Sequence, residues 1–374
     1  MINRNEQRVL DVIENDPFIS QKDIAEKLNL TRSTVATIIS SLTHKKHLLG
    51  RAYVVNKSNN IYCIGAMNVD RKFNLSEKMV LQTSNPAVSS VSVGGVVRNI
   101  AENLGRLNYD VSLFSLGGLD EDFNIIKTAT EPYVNMQHVS QIPGFATGMY
   151  NAILDADGEM QLAIADMEIN EEMSRTWISQ YESILIQAEL IVLDLNLPRE
   201  TVEYLIDLSR NHQVDLFIIP VSGPKMNRLP EDLTGVDWLI VNQDESESFF
   251  NMKVESEEDF QGLVDRWLAT GLENVVITRG IESSGYGNQK GDRLNLQPPV
   301  VDKVVDVTGA GDGYSSGIIM GHLEGLSPKE SIQLGMTNSY HIIQGETNVR
   351  HELSNERLLK EKIQLFEKEN NKNE

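Results

Sequence analysis

The chain has 374 residues, enough for two domains, and 40% of them are hydrophobic, which allows a buried core. The N-terminus is polar, and no apolar run approaches the ~20 residues that a membrane helix needs. We therefore expect a cytoplasmic protein without a membrane partner. A single cysteine, Cys63, excludes an internal disulfide framework. Because Cys63 lies in an apolar run, we interpret it as a core residue rather than a nucleophile.

The charge is unevenly distributed along the chain. The formal net charge is −21, yet residues 1–60 carry nine Lys and Arg against six Asp and Glu. The N-terminal segment is therefore slightly basic, whereas the remainder is strongly acidic. Since DNA attracts basic surfaces and repels acidic ones, any DNA contact is predicted to lie in the N-terminal segment.

Residues 1–57 have the pattern of a winged helix-turn-helix, the α+β fold of many DNA-binding domains. Val9 and Ile13 belong to the apolar stripe of a first helix. Ser20, with Asp23 three residues later, predicts the start of a second helix, and Thr31 predicts the start of a third. Residues 48–55 then predict a β-wing. This segment resembles the DNA-binding domains of MarR- and Lrp-type regulators.

The third predicted helix has a polar outward face, as a recognition helix in the major groove would. The residues that we expect to contact DNA there and at the basic tip of the wing are Arg32, Ser33, Thr34, Thr37 and Arg51. A helical oligomerisation module is the alternative interpretation.

A polar, turn-rich linker at residues 56–60 precedes a second domain at residues 61–365, and residues 366–374 form a polar tail. Short apolar strands alternate with helical segments in this domain, which predicts an α/β fold with a mostly parallel sheet sandwiched by helices. The predicted strands are 61–65, 111–116, 190–193, 216–219, 238–241 and 275–278. Residues 79–93 and 147–165 alternate polar and apolar side chains and predict a small antiparallel β lid.

A glycine-rich turn near residue 310 carries the most specific chemical signal. The apolar run 304–307 predicts a strand, and Gly309, Ala310 and Gly311 predict a turn that opens a helix. Small residues at a helix N-terminus let backbone N–H groups approach an anion closely. Asp312 adjoins this cradle and is suited to accept a proton from an attacking hydroxyl. A tight turn with an acidic residue favoured by the helix dipole is the alternative.

Two further motifs can bind hydroxyl groups. Gly94 and Gly95 precede an amphipathic helix, and Asn99 follows one turn later. Asp70 lies just beyond the first strand, at the sheet edge where α/β proteins bind ligands, and its carboxylate can hold two vicinal hydroxyls. The alternatives are glycines needed for helix packing and an aspartate solvated on a loop.

Asn242 and Glu245 lie three residues apart after another predicted strand. Such a pair can order the water shell of Mg²⁺ at a helix start. An ordinary helix N-cap is the alternative.

Together these motifs resemble the ribokinase (pfkB) family of carbohydrate and nucleoside kinases over residues 61–365. Three family patterns occur in order: an early Gly-Gly…Asn, a middle Asn-x-x-Glu and a late Asp-x-Thr-Gly-Ala-Gly-Asp. The resemblance implies the ribokinase-like fold, ATP and Mg²⁺ as cofactors and, in some members, K⁺.

The resemblance also implies roles for individual residues. It makes Asp312 the catalytic base and the backbone of Gly309, Ala310 and Gly311 the anion hole. The implied substrate-binding residues are Asn68, Asp70, Gly94, Gly95, Asn99 and Asp166. The implied nucleotide-binding residues are Asn242, Thr278, Arg279, Gly280, Gly285, Thr308 and Asn338. Asn242 and Glu245 are implied to organise Mg²⁺ through water, and Asp306 with Thr308 to bind a monovalent cation.

Within the family, residues 85–86, 94–104 and 163–169 are similar to those of bacterial pseudouridine kinases, which implies phosphorylation of the pseudouridine 5′-hydroxyl. Val96 replaces the lysine of ribokinases, and Ile219 stands where many relatives have an aspartate. The alternatives are another ribonucleoside or ribose kinase and a nucleoside-sensing transcriptional regulator. We also expect a homodimer formed through the lid.

Overall fold

The computed structural model describes residues 2–49 and 60–366, and its chain divides into two compact units, Met1–Asn59 and Asn60–Glu374. None of the helices in the described part is long and apolar enough to cross a membrane. The predicted wing tip, the linker up to residue 59 and the tail from residue 367 lie outside the described residues.

The N-terminal unit contains three helices around an apolar core. They are α1 (Arg4–Asn15), α2 (Gln21–Leu28) and α3 (Arg32–His44). The predicted caps are confirmed, because the side chains of Ser20 and Thr31 accept hydrogen bonds from the backbone N–H groups of Asp23 and Thr34. The fully buried members of the core are Val9, Ile13, Ile24, Val35 and Leu42.

The second unit is built on a nine-stranded sheet, and the predicted strands agree with it to within one or two residues at each end. In chain order its elements are β1 (Ile61–Ile64), β2 (Asn68–Leu75), β3 (Ala87–Gly94), α4 (Val96–Arg106), β4 (Val111–Gly117), α5 (Glu121–Thr130), β5 (Asn135–Gln141), β6 (Gly148–Leu154), β7 (Met160–Asp166), α6 (Arg175–Ser179), α7 (Glu182–Leu185), β8 (Leu190–Asp194), α8 (Arg199–His212), β9 (Asp215–Ile219), β10 (Trp238–Asn242), α9 (Gln243–Phe250), α10 (Glu257–Leu268), β11 (Asn274–Thr278), β12 (Ser284–Asn288), β13 (Arg293–Leu296), α11 (Ala310–Leu323), α12 (Pro328–Ile342) and α13 (Asn355–Phe366).

The strand order of the main sheet is β13-β12-β11-β10-β9-β8-β1-β4-β5, and only the pairings of β12 are antiparallel. Alternate side chains of β1 pack into cores on opposite faces, Tyr62 and Ile64 into one, Ile61 and Cys63 into the other. Helices cover both faces, as the alternation of strands and helices predicts. Cys63 is fully buried, and burial raises the pKa of its thiol, which agrees with a core role.

The lid is a separate four-stranded sheet in the order β3-β2-β6-β7, and it differs from the prediction in three ways. Residues 79–86 form turns rather than a strand, and β2 was not predicted because its charged residues are typical of a loop. The sheet is also not wholly antiparallel, since β2 pairs with β6 in parallel.

The predicted strand at residues 304–307 is wrong. These residues have no regular structure, and the side chains of Val304, Val305 and Val307 are exposed. The segment forms no ladder, and its backbone hydrogen bonds run from Val305 N to Ile343 O and from Ala310 N to Val307 O. Neither sheet in the described part of the chain includes this segment, and a β-branched run without a paired neighbour does not form a strand.

Candidate active site

The glycine-rich turn leads directly into the N-terminus of α11. Gly309 is the N-cap with φ +82°, and a Cβ at this position would lie 2.3 Å from Asn348 O, so glycine is required there. Ala310 N donates to Val307 O at 3.2 Å, which occupies one predicted anion-hole donor. A Cβ on Gly311 would meet nothing within 4 Å, so the turn is open at this point. The first-turn N–H groups of Gly311 and Asp312 remain as the donors that a helix start offers to an anion.

Asp312 lies in the first turn of α11 and is only 9% exposed. Its Oδ2 accepts a 2.7 Å hydrogen bond from Asn99 Nδ2. Burial raises the pKa of Asp312 to about 7, and the negative charges of Asp194 and Asp70 act in the same direction. Asn99 and the Arg98 guanidinium oppose this shift. A carboxylate with such a pKa can accept a proton near neutral pH.

Asp70 follows the first strand as predicted, but it lies in β2 of the lid, so the alternative of a loop aspartate is wrong. Asn68 Nδ2 donates to Asp70 Oδ1 at 2.5 Å, and the two side chains share a face because they are two residues apart on one strand. A Cβ on Gly94 would lie 2.3 Å from Asp70 Oδ2, so the absent side chain leaves room for this carboxylate. Burial raises the pKa of Asp70. Asp166 ends β7 and is half-buried.

The helix α4 places its first turn beside these carboxylates. Gly95 is its N-cap, and Asn99 is buried. Arg98, which the sequence reasoning missed, is also buried and donates to Asn99 Oδ1 at 2.7 Å while it forms an ion pair with Glu102. This contact orients the Asn99 amide so that Nδ2 faces Asp312.

Asp194 is a second residue that the sequence reasoning missed. It ends β8, is fully buried, and accepts hydrogen bonds from Ala66 N and Val97 N at 3.3 Å and from Asn196 N at 2.9 Å. Burial raises its pKa to about 6. Its position at the carboxyl end of a parallel strand was the available signal, because α/β sheets bind ligands at that edge.

Asn242 and Glu245 form a reciprocal capping box at the start of α9. Asn242 Oδ1 accepts from Glu245 N, and Glu245 Oε2 accepts from Asn242 N, both at 2.8 Å. No cluster of three acidic, His or Cys side chains that could hold a metal occurs in residues 2–49 or 60–366. The capping box agrees with the alternative interpretation of this pair, an ordinary helix N-cap.

The predicted nucleotide loop is only partly assembled from the predicted residues. Thr278 ends β11, and Gly280 follows in an open turn with φ +58°. Arg279 is paired with Glu257 at 2.7 Å and with Glu282 at 3.0 Å, so its charge is already neutralised.

Two other predicted nucleotide contacts lie in the interior. Gly285 is in β12, where a Cβ would lie 3.1 Å from the Phe260 ring, so packing explains this glycine. Asn338 is fully buried in α12, donates to Asn103 Oδ1 and Gly313 O, and accepts from Arg350 Nε, each at 3.0 Å. Its amide therefore joins helices rather than facing an open cleft.

The predicted monovalent-cation residues already have a cationic partner. Lys72 Nζ lies 2.5 Å from Asp306 Oδ2, and the other oxygen, Oδ1, accepts from Thr308 N and Thr308 Oγ1. Although burial raises the pKa of Asp306, Lys72 and Thr308 hold it below its usual value. The Lys72 ammonium already neutralises Asp306 at Oδ2, so these residues do not fit a K⁺ ion as they stand.

On α3, the predicted DNA-facing side chains are all exposed. They are Arg32, Ser33, Thr34 and Thr37. Arg51 lies outside the described residues.

Comparison with known proteins places both parts of the chain. Residues 58–346 match the pfkB family of carbohydrate kinases, and residues 2–44 match a winged helix-turn-helix DNA-binding family. The uncharacterized sugar kinase YeiI of Escherichia coli (strain K12) is 27% identical over 90% of this chain and 92% of its own.

Two further relatives cover most of the second unit. The pseudouridine kinase of Escherichia coli (strain K12) is 28% identical over 75% of this chain and 88% of its own. The Arabidopsis thaliana ribokinase complexed with ribose and ATP has a TM-score of 0.72 and 18% identity, over 82% of this chain and 99% of its own, so it shows the shared fold. This chain belongs to the pfkB family of carbohydrate kinases and carries an N-terminal winged helix-turn-helix domain.

Proposed function

We propose that the protein transfers the terminal phosphoryl group of ATP to the 5′-hydroxyl of pseudouridine. The observation that carries this proposal is the buried Asp312, whose pKa is near 7, in the first turn of α11 next to the glycine-rich turn. A base that ionises near neutral pH beside unpaired backbone N–H groups is what phosphoryl transfer to an alcohol requires.

In the proposed reaction, Asp312 accepts the proton of the attacking hydroxyl as the new O–P bond forms. The bond between the transferred phosphorus and its bridging oxygen breaks, and ADP leaves with that oxygen. The N–H groups of Gly311 and Asp312 hydrogen-bond to the transferring phosphoryl and stabilise its charge. Asn242 and Glu245 would hold the water shell of an Mg²⁺ ion bound with ATP, and that ion would supply charge neutralisation at the phosphates.

Substrate orientation is assigned to the lid and α4. Asp70 and Asn68 would bind the vicinal ribose hydroxyls, with Gly94 leaving room for the Asp70 carboxylate and Asp166 at the end of β7 as a further contact. Asn99 would hold Asp312 and approach the same hydroxyls. Thr278, Gly280 and Thr308 remain the candidate nucleotide contacts, since they lie at chain turns and are not fully buried.

Pseudouridine as the acceptor is supported by the 28% identical pseudouridine kinase and by the sequence similarity at residues 94–104 and 163–169. The specific rival is another sugar or ribonucleoside kinase, favoured by the more extensive similarity to YeiI. Initial rates with pseudouridine, uridine, adenosine and ribose distinguish them. The highest kcat/KM with pseudouridine supports the proposal. A higher kcat/KM with another acceptor would overturn the proposed substrate but not the proposed kinase activity.

A different class of function is a regulator whose kinase fold senses a nucleoside. The winged helix-turn-helix match favours a link to DNA. The presence of Asp312 argues against a purely sensory domain, because binding alone needs no base. Calorimetric binding of a nucleoside without formation of a phosphorylated product would favour the sensor.

A further inference from the structure

A lysine of the lid contacts the segment that leads into α11. Lys72 Nζ lies 2.5 Å from Asp306 Oδ2 and 3.5 Å from Thr308 Oγ1. The lysine side chain is 34% exposed and that of Asp306 is 28% exposed. An ion pair with this exposure contributes little to folding stability, so its effect is expected in local geometry.

The position of Lys72 connects two parts of the proposed site. Lys72 and Asp70 are two residues apart on β2, so the Lys72 side chain lies on the same face as the proposed substrate-binding carboxylate of Asp70. Asp306 lies three residues before Gly309, the N-cap of α11. The ammonium thus joins the strand that carries Asp70 to the turn that carries the phosphoryl-binding N–H groups.

A second contact makes the same connection from β3. Asn348 Nδ2 donates to Val93 O at 3.1 Å, one residue before Gly94. The backbone of Asn348 also packs against Gly309, as the 2.3 Å approach to a Cβ shows. Two adjacent lid strands, β2 and β3, are therefore linked to the start of α11.

We propose that the Lys72 ammonium is a built-in cation of this site, a positioning residue that takes the place of a monovalent metal ion at Asp306. An ammonium is a compact point charge with three donors, which suits a position bounded by a carboxylate and a hydroxyl. It neutralises Asp306 next to the phosphoryl-binding turn and orders the lid together with that turn. The kinase then needs no added K⁺.

This inference rests on the proposed kinase activity, and its test compares four full-length proteins. They are the wild type, Lys72→Met, Lys72→Arg and the control Lys78→Met, which removes an exposed lysine of the same lid segment. Initial rates are measured with Mg-ATP and the preferred acceptor at fixed ionic strength in KCl, NaCl or tetramethylammonium chloride. Thermal unfolding is followed in the same three salts.

The wild type and K78M are expected to show equal rates in all three salts. In tetramethylammonium chloride K72M should lose about 10- to 100-fold in kcat, the range expected when reacting groups are misplaced. KCl should restore much of this loss, because K⁺ can enter the position that the ammonium leaves, and K72R should retain more activity than K72M. Several-fold activation of the wild type by KCl, or equal kcat for K72M and K78M, overturns the proposal.

The unfolding measurement separates this inference from the proposed function, because it needs no turnover. If no acceptor is phosphorylated, the proposed kinase activity is wrong. The Tm values still test whether Lys72 takes the place of a monovalent cation. A higher Tm in KCl than in tetramethylammonium chloride for K72M, but not for the wild type, supports the assignment. The same response of both proteins to KCl overturns it.

Discussion

Asn99 Nδ2 donates to Asp312 Oδ2 at 2.7 Å and joins α4 to the first turn of α11. The bond stabilises the ionised carboxylate, whereas burial and the charge of Asp194 stabilise the protonated form. The result is a pKa near 7 for Asp312. The pKa of the proposed base therefore depends on neighbouring side chains, each of which can be replaced separately.

Replacing the base should remove turnover and leave the fold intact. Asp312→Asn keeps the size of the side chain but cannot accept the hydroxyl proton, so kcat should fall by about two to four orders of magnitude. Steady-state rates and the Tm of both proteins test this. Asp302→Asn, at an exposed site ten residues earlier, is the matched control. Turnover of the Asp312 variant within a few-fold of that control would remove Asp312 as the base.

Removing the Asn99 amide should change the pH dependence. The base must be ionised, so kcat/KM should rise with pH through the pKa of Asp312. Because Asn99 lowers that pKa, Asn99→Ala should raise it and move the acid limb of the profile to higher pH. The measurement is kcat/KM between about pH 5 and 9, in buffers of constant ionic strength.

Asp194→Asn should shift the pH profile in the opposite direction. The negative charge of Asp194 raises the pKa of Asp312, so removing that charge should move the acid limb to lower pH. A purely structural effect of either variant would lower kcat/KM at every pH without moving the limb. Shifts of the same sign in both variants would contradict the assignment.

The order of strands and helices was predictable because buried parallel strands are short apolar runs between helices. β2 was missed because Asp70, Arg71 and Lys72 interrupt this pattern, and only the paired lid strands keep the segment extended. Residues 304–307 show the opposite error, a predicted strand that does not form. Their β propensity alone does not produce a strand without a paired partner.

The site shows the same division between local and long-range information. The turn at Gly309 and the cap at Asn242 follow from adjacent residues and could be predicted. The contacts of Asp312 with Asn99 and of Lys72 with Asp306 span more than 200 positions. Such pairings depend on tertiary packing, which a single sequence does not specify.

Arg32 is expected to contact DNA phosphate or base edges from α3. Arg32→Ala in the full-length protein should weaken binding to fragments selected from random DNA and reduce the salt-dependence slope by about one if the contact is to phosphate. Arg266→Ala removes an equal charge from an exposed site on α10 and should leave binding unchanged. Equal affinities of the two variants would exclude Arg32 from the interface.

We expect two copies of the chain to form a homodimer through the lid face opposite Asp70. Cross-strand register places Val91, Phe73, Leu162 and Ile164 on this face, and Leu162 and Ile164 are 46% and 52% exposed. Apolar side chains grouped on an open sheet are typical of an interface between chains. Leu162→Lys should therefore convert a dimer into a monomer in light scattering, because it places a charge on the apolar face. Val300→Lys, at an exposed apolar residue outside the lid, should leave the mass unchanged, and a wild type that stays monomeric at high concentration would exclude the lid dimer.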